Sequence, residues 1–192
     1  MTNWTLREAV YEDAAKIMDL KHELATEPNL PVYLQLSETV AEECQHMHPY
    51  LESPNSNIML AQTLDGRLIG MAYVAGGSLD VTRHMADIHR VAIHRDFRGM
   101  GLGEALMCAV IDWAQANAML KRLELELFVG NKRALNLYRK LGFVVQGRRN
   151  RSYFINDEYI DVYMMMRFVS EEFKDPTKTD VMKIVESIRH TV

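Results

Sequence analysis

Three glycines at alternate positions give one stretch of the sequence the clearest chemical character, Arg98-Gly99-Met100-Gly101-Leu102-Gly103. The β-branched residues Val91 and Ile93 precede it and favour a strand, and the helix formers that follow it favour a helix. Glycine lets the chain turn tightly and lets a ligand approach the backbone. The first amides of a helix have no partner within the helix, and the helix dipole favours an anion there. The stretch therefore predicts a phosphate site.

Three phosphate-binding patterns compete for this stretch. A P-loop ends in Gly-Lys-Ser/Thr, whereas here Gly103 is followed by Glu104 and Ala105. A dinucleotide fingerprint, Gly-x-Gly-x-x-Gly, would need its last glycine where Glu104 stands. The third pattern, Arg-x-x-Gly-x-Gly, is met by Arg98, Gly101 and Gly103. It resembles the acetyl-CoA pyrophosphate loop of the GCN5-related N-acetyltransferase (GNAT) superfamily; an ordinary glycine turn before a helix is the alternative.

Composition and charge favour one globular domain. The chain has 192 residues, of which 48% are hydrophobic and 25% charged, as is usual for a single soluble domain. Its net charge of −4 argues against a nucleic-acid partner. Cys44 and Cys108 suggest neither a disulfide framework nor a metal site, so we expect a reducing, cytoplasmic compartment and no metal. We expect no signal peptide and no membrane partner, because the start is polar and no apolar stretch is long enough.

Hydrophobic periodicity and breaker residues predict the order of the elements. The predicted strands cover residues 4–7, 57–62, 67–74, 86–93, 123–129, 143–154 and 159–168. The predicted helices cover residues 14–24, 37–48, 104–118 and 132–141. Asp13 is expected to cap the first helix, and the second is expected to open at Ser37 and end before Pro49. The order predicts an α/β protein with a mixed sheet and helices on both sides.

A second motif follows the fifth predicted strand, Asn131-x-x-Ala134-x-x-x-Tyr138-x-x-x-Gly142-Phe143. It resembles the Asn-x-x-Ala…Tyr…Gly-Phe signature of the GNAT superfamily. The two motifs cover residues 86–145, and the element order extends the likeness to residue 168. The resemblance implies the GNAT fold, a mostly antiparallel twisted sheet whose central parallel strands splay apart, and it implies transfer of an acetyl group from acetyl-CoA. The closing hairpin is similar to small bacterial members that acetylate amino acids and similar small amines.

The resemblance assigns acetyl-CoA to groups in both motifs. Backbone amides would hold its pyrophosphate, those of Arg98, Gly99, Met100, Gly101, Leu102, Gly103 and Glu104. The backbone of Val91 and Ile93, where the fourth strand splays from the fifth, would pair with the pantetheine arm as an added strand does. Asn131 is expected to cap the next helix, and the resemblance adds a hydrogen bond to acetyl-CoA. The side chain of Arg98 would either add positive charge to the site or remain solvated.

The same resemblance implies that Tyr138 and Asp87 transfer protons. Tyr138 matches the family's general acid, and a tyrosine has an ordinary pKa of about 10, close to that of a thiol; the alternative is a core tyrosine whose hydroxyl is satisfied. Asp87 lies on the fourth strand, where many members place a glutamate base, and His89 shares its face. Either would act through water. Some members need no dedicated base, because the free amine is selected from solution.

Substrate choice is expected to depend on the first helix pair and the last hairpin. The candidate residues are Glu27, His46, Tyr50, Arg148, Arg149, Arg151 and Tyr153. The basic cluster at 148–151 would hold a carboxylate or form a solvated turn. The favoured function is an N-acetyltransferase that acts on a small-molecule amine by direct transfer in a ternary complex. The alternatives are an acetyltransferase of protein N-termini or lysines and a non-catalytic acetyl-CoA sensor.

The end of the chain lies beyond the resemblance, so we divide the chain into an acetyltransferase domain, residues 1–170, and a tail, residues 171–192. A polar run at 174–179 predicts a linker. Val181, Ile184, Val185 and Ile188 then predict a short helix with one apolar stripe. A helix of about three turns is marginal in water on its own. We therefore expect it to dock on its own domain or on a second copy in a homodimer.

Overall fold

The computed structural model describes residues 3–27, 32–155 and 157–170. Its strands are β1 (Trp4–Glu8), β2 (Asn57–Thr63), β3 (Leu68–Gly76), β4 (Met85–Ile93), β5 (Arg122–Phe128), β6 (Val144–Ile155) and β7 (Glu158–Phe168). Its helices are α1 (Ala14–Ala25), α2 (Val40–Leu51), α3 (Leu102–Ala116) and α4 (Lys132–Lys140). Every predicted strand and helix up to residue 168 is present in the predicted order. The α/β prediction is confirmed.

One mixed sheet contains all these strands, in the spatial order β1-β2-β3-β4-β5-β7-β6. Neighbours are antiparallel except β4 and β5, which are parallel. The parallel pairing is short, since it joins only Met85–Ile88 to Arg122–Leu125. Beyond Ile88 the two strands separate. The splayed central strands that the resemblance implied are therefore confirmed, and they open a gap in the middle of the sheet.

Helices cover both faces of the sheet, and the sequence of β2 shows why both of its faces can be buried. Met59 and Ala61 lie in a core that α3 and α4 help to form. The alternate residues Ile58 and Leu60 lie in a second core with α1 and α2. All four are buried. A strand with both faces covered is expected to be apolar throughout, which explains the run Ile58-Met59-Leu60-Ala61.

A β-bulge interrupts β4 at Arg90. In the pairing of β3 with β4, Tyr73 opposes His89 and Met71 opposes Ala92, so two residues of β4 face one residue of β3. Arg90 has a φ of 51°, in the left-handed region that a residue with a Cβ rarely adopts. Such a conformation costs on the order of 1–3 kcal/mol and is often found at functional sites. The bulge lies just where β4 leaves β5.

The predicted cap of the first helix is wrong. Asp13 makes no side-chain bond to the amides of α1. Its carboxylate instead accepts two hydrogen bonds from the Arg7 guanidinium, both at 2.6 Å, and one from the Val10 amide at 2.9 Å. The arginine gives the carboxylate a bidentate pair of charge-assisted hydrogen bonds in place of a bond to a helix amide. Asp13 therefore joins β1 to the start of α1 rather than capping the helix.

The predicted limits of the second helix are also wrong. The helix begins at Val40 rather than Ser37, because Thr39 caps it by accepting a backbone N–H bond at 3.2 Å. The Ser37 hydroxyl instead donates to buried Glu43 at 2.7 Å. The helix also continues through Pro49. A proline removes one hydrogen bond of the ladder, and here that loss falls in the last turn.

The tail predicted from residue 171 onward lies outside the described residues. The linker, the short helix, its docking and the division of the chain at residue 170 therefore stay predictions. Within the described ranges, no helix combines the length and the apolar character that crossing a membrane requires.

Candidate active site

The glycine turn between β4 and α3 is open on its outer side. Gly99 and Gly101 both have a φ of 82°, which glycine adopts readily because it has no Cβ. A Cβ added to either residue would meet no heavy atom within 4 Å. The turn is therefore a backbone cradle with free space above it, and it differs from a turn that is merely packed between two elements.

The start of α3 supplies unpaired amides to this cradle. Gly101 is the N-cap residue and offers no side-chain acceptor to the helix. The first helical bond runs from the Ala105 amide to the Gly101 carbonyl at 3.0 Å. The amides of Leu102, Gly103 and Glu104 thus lie at the positive end of the helix dipole, where an anion is favoured. The turn therefore has the free amides that the sequence assigned to the pyrophosphate of acetyl-CoA, and that assignment stays a prediction.

The side chain of Glu104 stands beside these amides, where its negative charge would oppose a phosphate. It forms an ion pair with Lys140 of α4 at 2.6 Å. The pair joins the first turn of α3 to the last turn of α4 and offsets the charge of the carboxylate. The sequence predicted a role for the Glu104 backbone, and the ion pair explains how its side chain is tolerated there.

The guanidinium of Arg98 is bound by the protein itself. Its Nε donates to the Ile93 carbonyl at 2.8 Å, and its terminal nitrogen pairs with Glu27 at 2.7 Å. The sequence left open whether this side chain meets the ligand or the solvent. The structure shows a third arrangement, in which Arg98 ties the end of β4 and the end of α1 to the glycine turn. Glu27, a predicted substrate residue, is used in this tie.

A cleft of about 430 Å³ lies between β4, the glycine turn and α4. It brings together most of the residues that the sequence assigned to acetyl-CoA. These residues are Val91, Ile93, Arg98, Gly99, Gly101, Gly103, Glu104 and Asn131. Met100 and Leu102 do not line it: the Met100 side chain is 65% exposed, and Leu102 is buried in the core. The side chain of Leu102 is therefore closed to a ligand, and its backbone amide is the group that it can offer.

A second cavity of about 590 Å³ opens where β4 and β5 separate. The cavity and the cleft share part of their lining, namely Val91, Asn131, Ala134 and Tyr138. Asp87 and His89 line the cavity as well. The predicted acid and both predicted bases are therefore brought to one cavity, which meets the cleft at Tyr138.

Tyr138 is buried, with 7% of its surface exposed. Its ring lies 5.9 Å from the ring of Phe143, and its hydroxyl has no hydrogen-bond partner among the described residues. Burial raises the pKa of Tyr138 to about 12, so the phenol keeps its proton at neutral pH. The ring is thus packed on the core, as the alternative weighed from the sequence expected, while its hydroxyl has no partner among the described residues; its role as the acid stays a prediction.

Asp87 and His89 differ in how free they are to accept a proton. The Asp87 carboxylate has no hydrogen bond or ion pair within the described part of the chain, and its pKa is raised by partial burial and by nearby Glu124 and Glu126. His89 Nε2 lies 2.8 Å from the Tyr50 hydroxyl. Burial, aided by the charge of a neighbouring arginine, lowers the pKa of His89 to about 4. Of the two side chains, His89 is thus engaged by Tyr50, and Asp87 is free of partners among the described residues.

Asn131 caps α4 as predicted. Its Oδ1 accepts a hydrogen bond from the Ala134 amide at 3.1 Å. The residue also lines both the cleft and the cavity. The cap is therefore confirmed, and the bond from Asn131 to acetyl-CoA stays a prediction.

Some of the predicted substrate residues line the second cavity, and others do not. Tyr50, Arg149 and Tyr153 line the second cavity. Arg149 pairs with Glu126 at 2.6 Å, and Arg148 pairs with Asp161 on the exposed hairpin. The other four candidates, Glu27, His46, Arg148 and Arg151, do not line the cavity. Arg151 stacks on an exposed ring of the hairpin, and the partly buried His46 bonds to Gln35 and Ser37.

Sequence reasoning missed two charged residues that line the cavity, Glu126 and Arg90. The sequence signal for Arg90 is a change of phase in β4. Ala86 and Ile88 are apolar at even positions, whereas Val91 and Ile93 are apolar at odd positions. Strict alternation cannot join the two pairs, so one extra residue must lie between them. No glycine marks the bulge, because arginine itself adopts the positive φ.

No group of three or more His, Cys, Asp or Glu side chains in the described ranges is placed to hold a metal ion.

Comparison with known proteins agrees with this geometry. L-amino acid N-acetyltransferase AaaT of Escherichia coli is 29% identical over 108 residues, which are 56% of this chain and 66% of AaaT. The chain thus spans slightly less than two thirds of that relative. A GNAT-family acetyltransferase from Streptococcus pneumoniae is 28% identical with a TM-score of 0.77, over 87% of this chain and 99% of that one.

A phosphinothricin acetyltransferase from Sinorhizobium meliloti, solved in complex with acetyl-CoA, shares the fold. It has a TM-score of 0.77 and 21% identity, over 92% of this chain and 95% of its own. The model of the acetyltransferase (GNAT) family matches residues 17–143. That range includes most of α1, the glycine turn and the Asn131–Tyr138 motif, and it covers more than half of the sequence. The chain belongs to the acetyltransferase (GNAT) family.

Proposed function

We propose that the protein is an acetyl-CoA-dependent N-acetyltransferase that acetylates a primary amine of a small molecule, such as an amino acid or a similar compound. One observation carries the proposal: an open phosphate cradle leads along a cleft to Tyr138, where a second cavity with an unpaired carboxylate begins. The arrangement suits two ligands that meet at one point, as direct transfer in a ternary complex requires.

The cradle and the gap in the sheet would hold acetyl-CoA at two places. The amides of Leu102, Gly103 and Glu104 face its pyrophosphate. Past Ile88, β4 has no ladder partner on the β5 side among the described residues, so its backbone there is available to an extended amide-bearing arm. When bound, acetyl-CoA supplies the acetyl group as a thioester. Held at these two places, acetyl-CoA would extend along the cleft that Tyr138 lines.

Two side chains then move protons. Asp87 receives a proton from the acceptor ammonium through a water, leaving a free amine that can attack. The Tyr138 hydroxyl, free of other partners, donates a proton to the thiolate that leaves. The Tyr138 phenol, whose pKa burial raises to about 12, keeps the proton that it is to donate, and the Asp87 carboxylate has no partner among the described residues that competes for the proton it is to accept.

A small acceptor is favoured by the size and charge of the cavity. Its volume of about 590 Å³ lies within the usual range for small-molecule sites, roughly 300–1,000 Å³. Asp87, whose carboxylate has no ion pair among the described residues, contributes negative charge to its lining, which suits an ammonium group. The similarity to AaaT supports an amino acid as one acceptor class. A protein N-terminus is the alternative, and the acceptor screen separates the two.

The test is release of free thiol from acetyl-CoA across amino acids, polyamines, aminoglycosides and N-terminal peptides. We expect release that depends on both the enzyme and a small amine, with the acetylated amine identified by mass spectrometry. Release with peptides alone would support the protein acetyltransferase. Binding of acetyl-CoA without release on any amine would support the sensor and overturn the proposal.

Asp87 gives this proposal a pH dependence. Its raised pKa means that it binds a proton at a higher pH than a free aspartate does, and only the unprotonated form accepts a proton. We expect kcat/KM to fall as the pH falls through that raised pKa. Asp87→Asn should remove this acidic limb and lower kcat/KM roughly tenfold, less than for a base in direct contact, because a water intervenes. An unchanged pH profile in Asp87→Asn would contradict the role.

Two further proposals concern the protein's setting. Cys44 and Cys108 are free thiols, which agrees with the reducing cytoplasm as its compartment. A homodimer is proposed from the apolar stripe of the tail alone, so it depends on residues outside the described ranges.

A further inference from the structure

Arg90 projects from the bulge of β4 toward groups that carry no negative charge. Its guanidinium donates to Gln35 Oε1 at 2.8 Å and to the Tyr50 hydroxyl at 3.4 Å, and it lies 5.1 Å from the centroid of the Tyr73 ring. No carboxylate of the described residues forms an ion pair with it. A partly buried guanidinium is usually paired with a carboxylate, so the uncompensated charge of Arg90 calls for an explanation.

The other arginine of the cavity is already neutralised. Arg149 forms an ion pair with Glu126 at 2.6 Å, and Glu126 also accepts a hydrogen bond from Tyr153. The buried carboxylate of Glu43 is neutralised by Lys21, with which it pairs at 2.6 Å, rather than by Arg90. Among the arginines that line the cavity, Arg90 alone keeps its full charge available to a ligand within the part of the chain described here.

A chain of hydrogen bonds holds Gln35, and through it Arg90, in place. Gln35 Nε2 lies 2.8 Å from His46 Nε2, and His46 Nδ1 lies 2.9 Å from the Ser37 hydroxyl. Ser37 in turn donates to Glu43, the partner of Lys21. A guanidinium fixed in this way loses little further freedom when it binds an anion. The interior of the protein thus presents Arg90 as a rigid donor at the cavity wall.

We propose that Arg90 binds the carboxylate of the acceptor, so that the acceptor class is a primary amine bearing a carboxylate. The inference rests on the proposed function, since it concerns the acceptor of that reaction. The ammonium end of such a molecule is directed to the Asp87 side of the cavity and its carboxylate to Arg90. The basic cluster at 148–151, the carboxylate site considered from the sequence, does not have this role, because Arg148 and Arg149 are bound to Asp161 and Glu126.

The first measurement uses the unaltered protein. The value of kcat/KM is determined for several amino acids, for the carboxamide of each and for each matching amine without the carboxylate. We expect each acid to exceed its carboxamide by at least about tenfold, the effect of one hydrogen bond between charged groups. A ratio below that overturns the inference while leaving the proposed function intact. Absence of thiol release with every amine would instead overturn the proposed function.

The second measurement compares Arg90→Gln with Arg83→Gln, the same change at an exposed arginine outside the cavity, which pairs with Asp80 at 3.7 Å. We expect Arg90→Gln to lower kcat/KM at least about tenfold for the acids and less than about threefold for the carboxamides. Arg83→Gln should alter neither. An equal loss on acids and carboxamides would mean that Arg90 only maintains the bulge, and would overturn the inference.

A third variant, Arg149→Gln, tests the competing site. If it reproduces the loss selective for acids while Arg90→Gln does not, the carboxylate is held by β6 and the inference is wrong. Binding of acetyl-CoA by each variant, measured by calorimetry, checks that the fold and the cofactor cleft persist. If Arg90→Gln fails to fold, the ratio of acid to carboxamide for the unaltered protein still decides the question.

Discussion

Replacing Tyr138 with phenylalanine should lower turnover by about 100-fold or more, the usual scale for a positioned general acid. The change removes the unpaired hydroxyl and keeps the ring that packs on Phe143. Acetyl-CoA affinity should change little, because the hydroxyl makes no contact that maintains the cleft. The measurement is kcat from thiol release, with calorimetry for the affinity.

The control for this change is Tyr11→Phe, in which a tyrosine hydroxyl is removed from an exposed pair with Glu52 and His48. Its turnover should match that of the unaltered protein. The pKa of about 12 adds a second check: a general acid acts in its protonated form, so kcat should not fall on the alkaline side until the pH approaches that value. Turnover within about threefold in Tyr138→Phe would show that the thiolate takes its proton from solvent.

Replacing Gly101 with aspartate should weaken acetyl-CoA binding on the order of 100-fold. The side chain would enter the free space above the turn and place a negative charge beside the amides that are expected to hold the pyrophosphate. Aspartate and asparagine tolerate a positive φ better than most residues do, so the fold should survive. The measurement is titration calorimetry with acetyl-CoA.

Gly101→Asn is the matched control, since asparagine has the shape of aspartate without the charge. We expect Gly101→Asn to lose affinity through bulk alone, and by much less than Gly101→Asp. Equal affinities in the two variants would mean that no phosphate lies near this residue. Unchanged affinity in both, with the protein folded, would remove the glycine turn from the proposed site.

Local patterns predicted the elements well because each pattern is set by neighbours in the chain. In β5 the alternation Leu123-Glu124-Leu125-Glu126-Leu127 predicted one dry face, and its three leucines are buried. The glycine turn and the Asn131 cap also depend on residues only a few positions apart. These features allowed the cofactor cleft to be assembled from the sequence before any distance was known.

Partners far apart in the sequence were not predictable in this way. Asp13 was assigned to the helix beside it, but Arg7 across the turn binds it more strongly. The side chain of Arg98 was predicted to meet the ligand or the solvent, but Glu27, which is distant in the sequence, neutralises its charge. The same limit hid Arg90, because its importance comes from the carboxylates that it lacks, and such an absence is visible only when the whole cavity is assembled.

The bulge in β4 also determines which residues of the strand, even-numbered or odd-numbered, face each core. Up to Ile88, even-numbered residues face the core of α3, and after Arg90 the odd-numbered Val91 and Ile93 do so, with Ala92 turned to the opposite core. Loss or gain of one codon here would exchange the two faces for everything on one side of the bulge. A change of two codons would leave each side chain on its present face of the sheet and alter only the length of β4. Length variation among relatives at this point should therefore come in even steps.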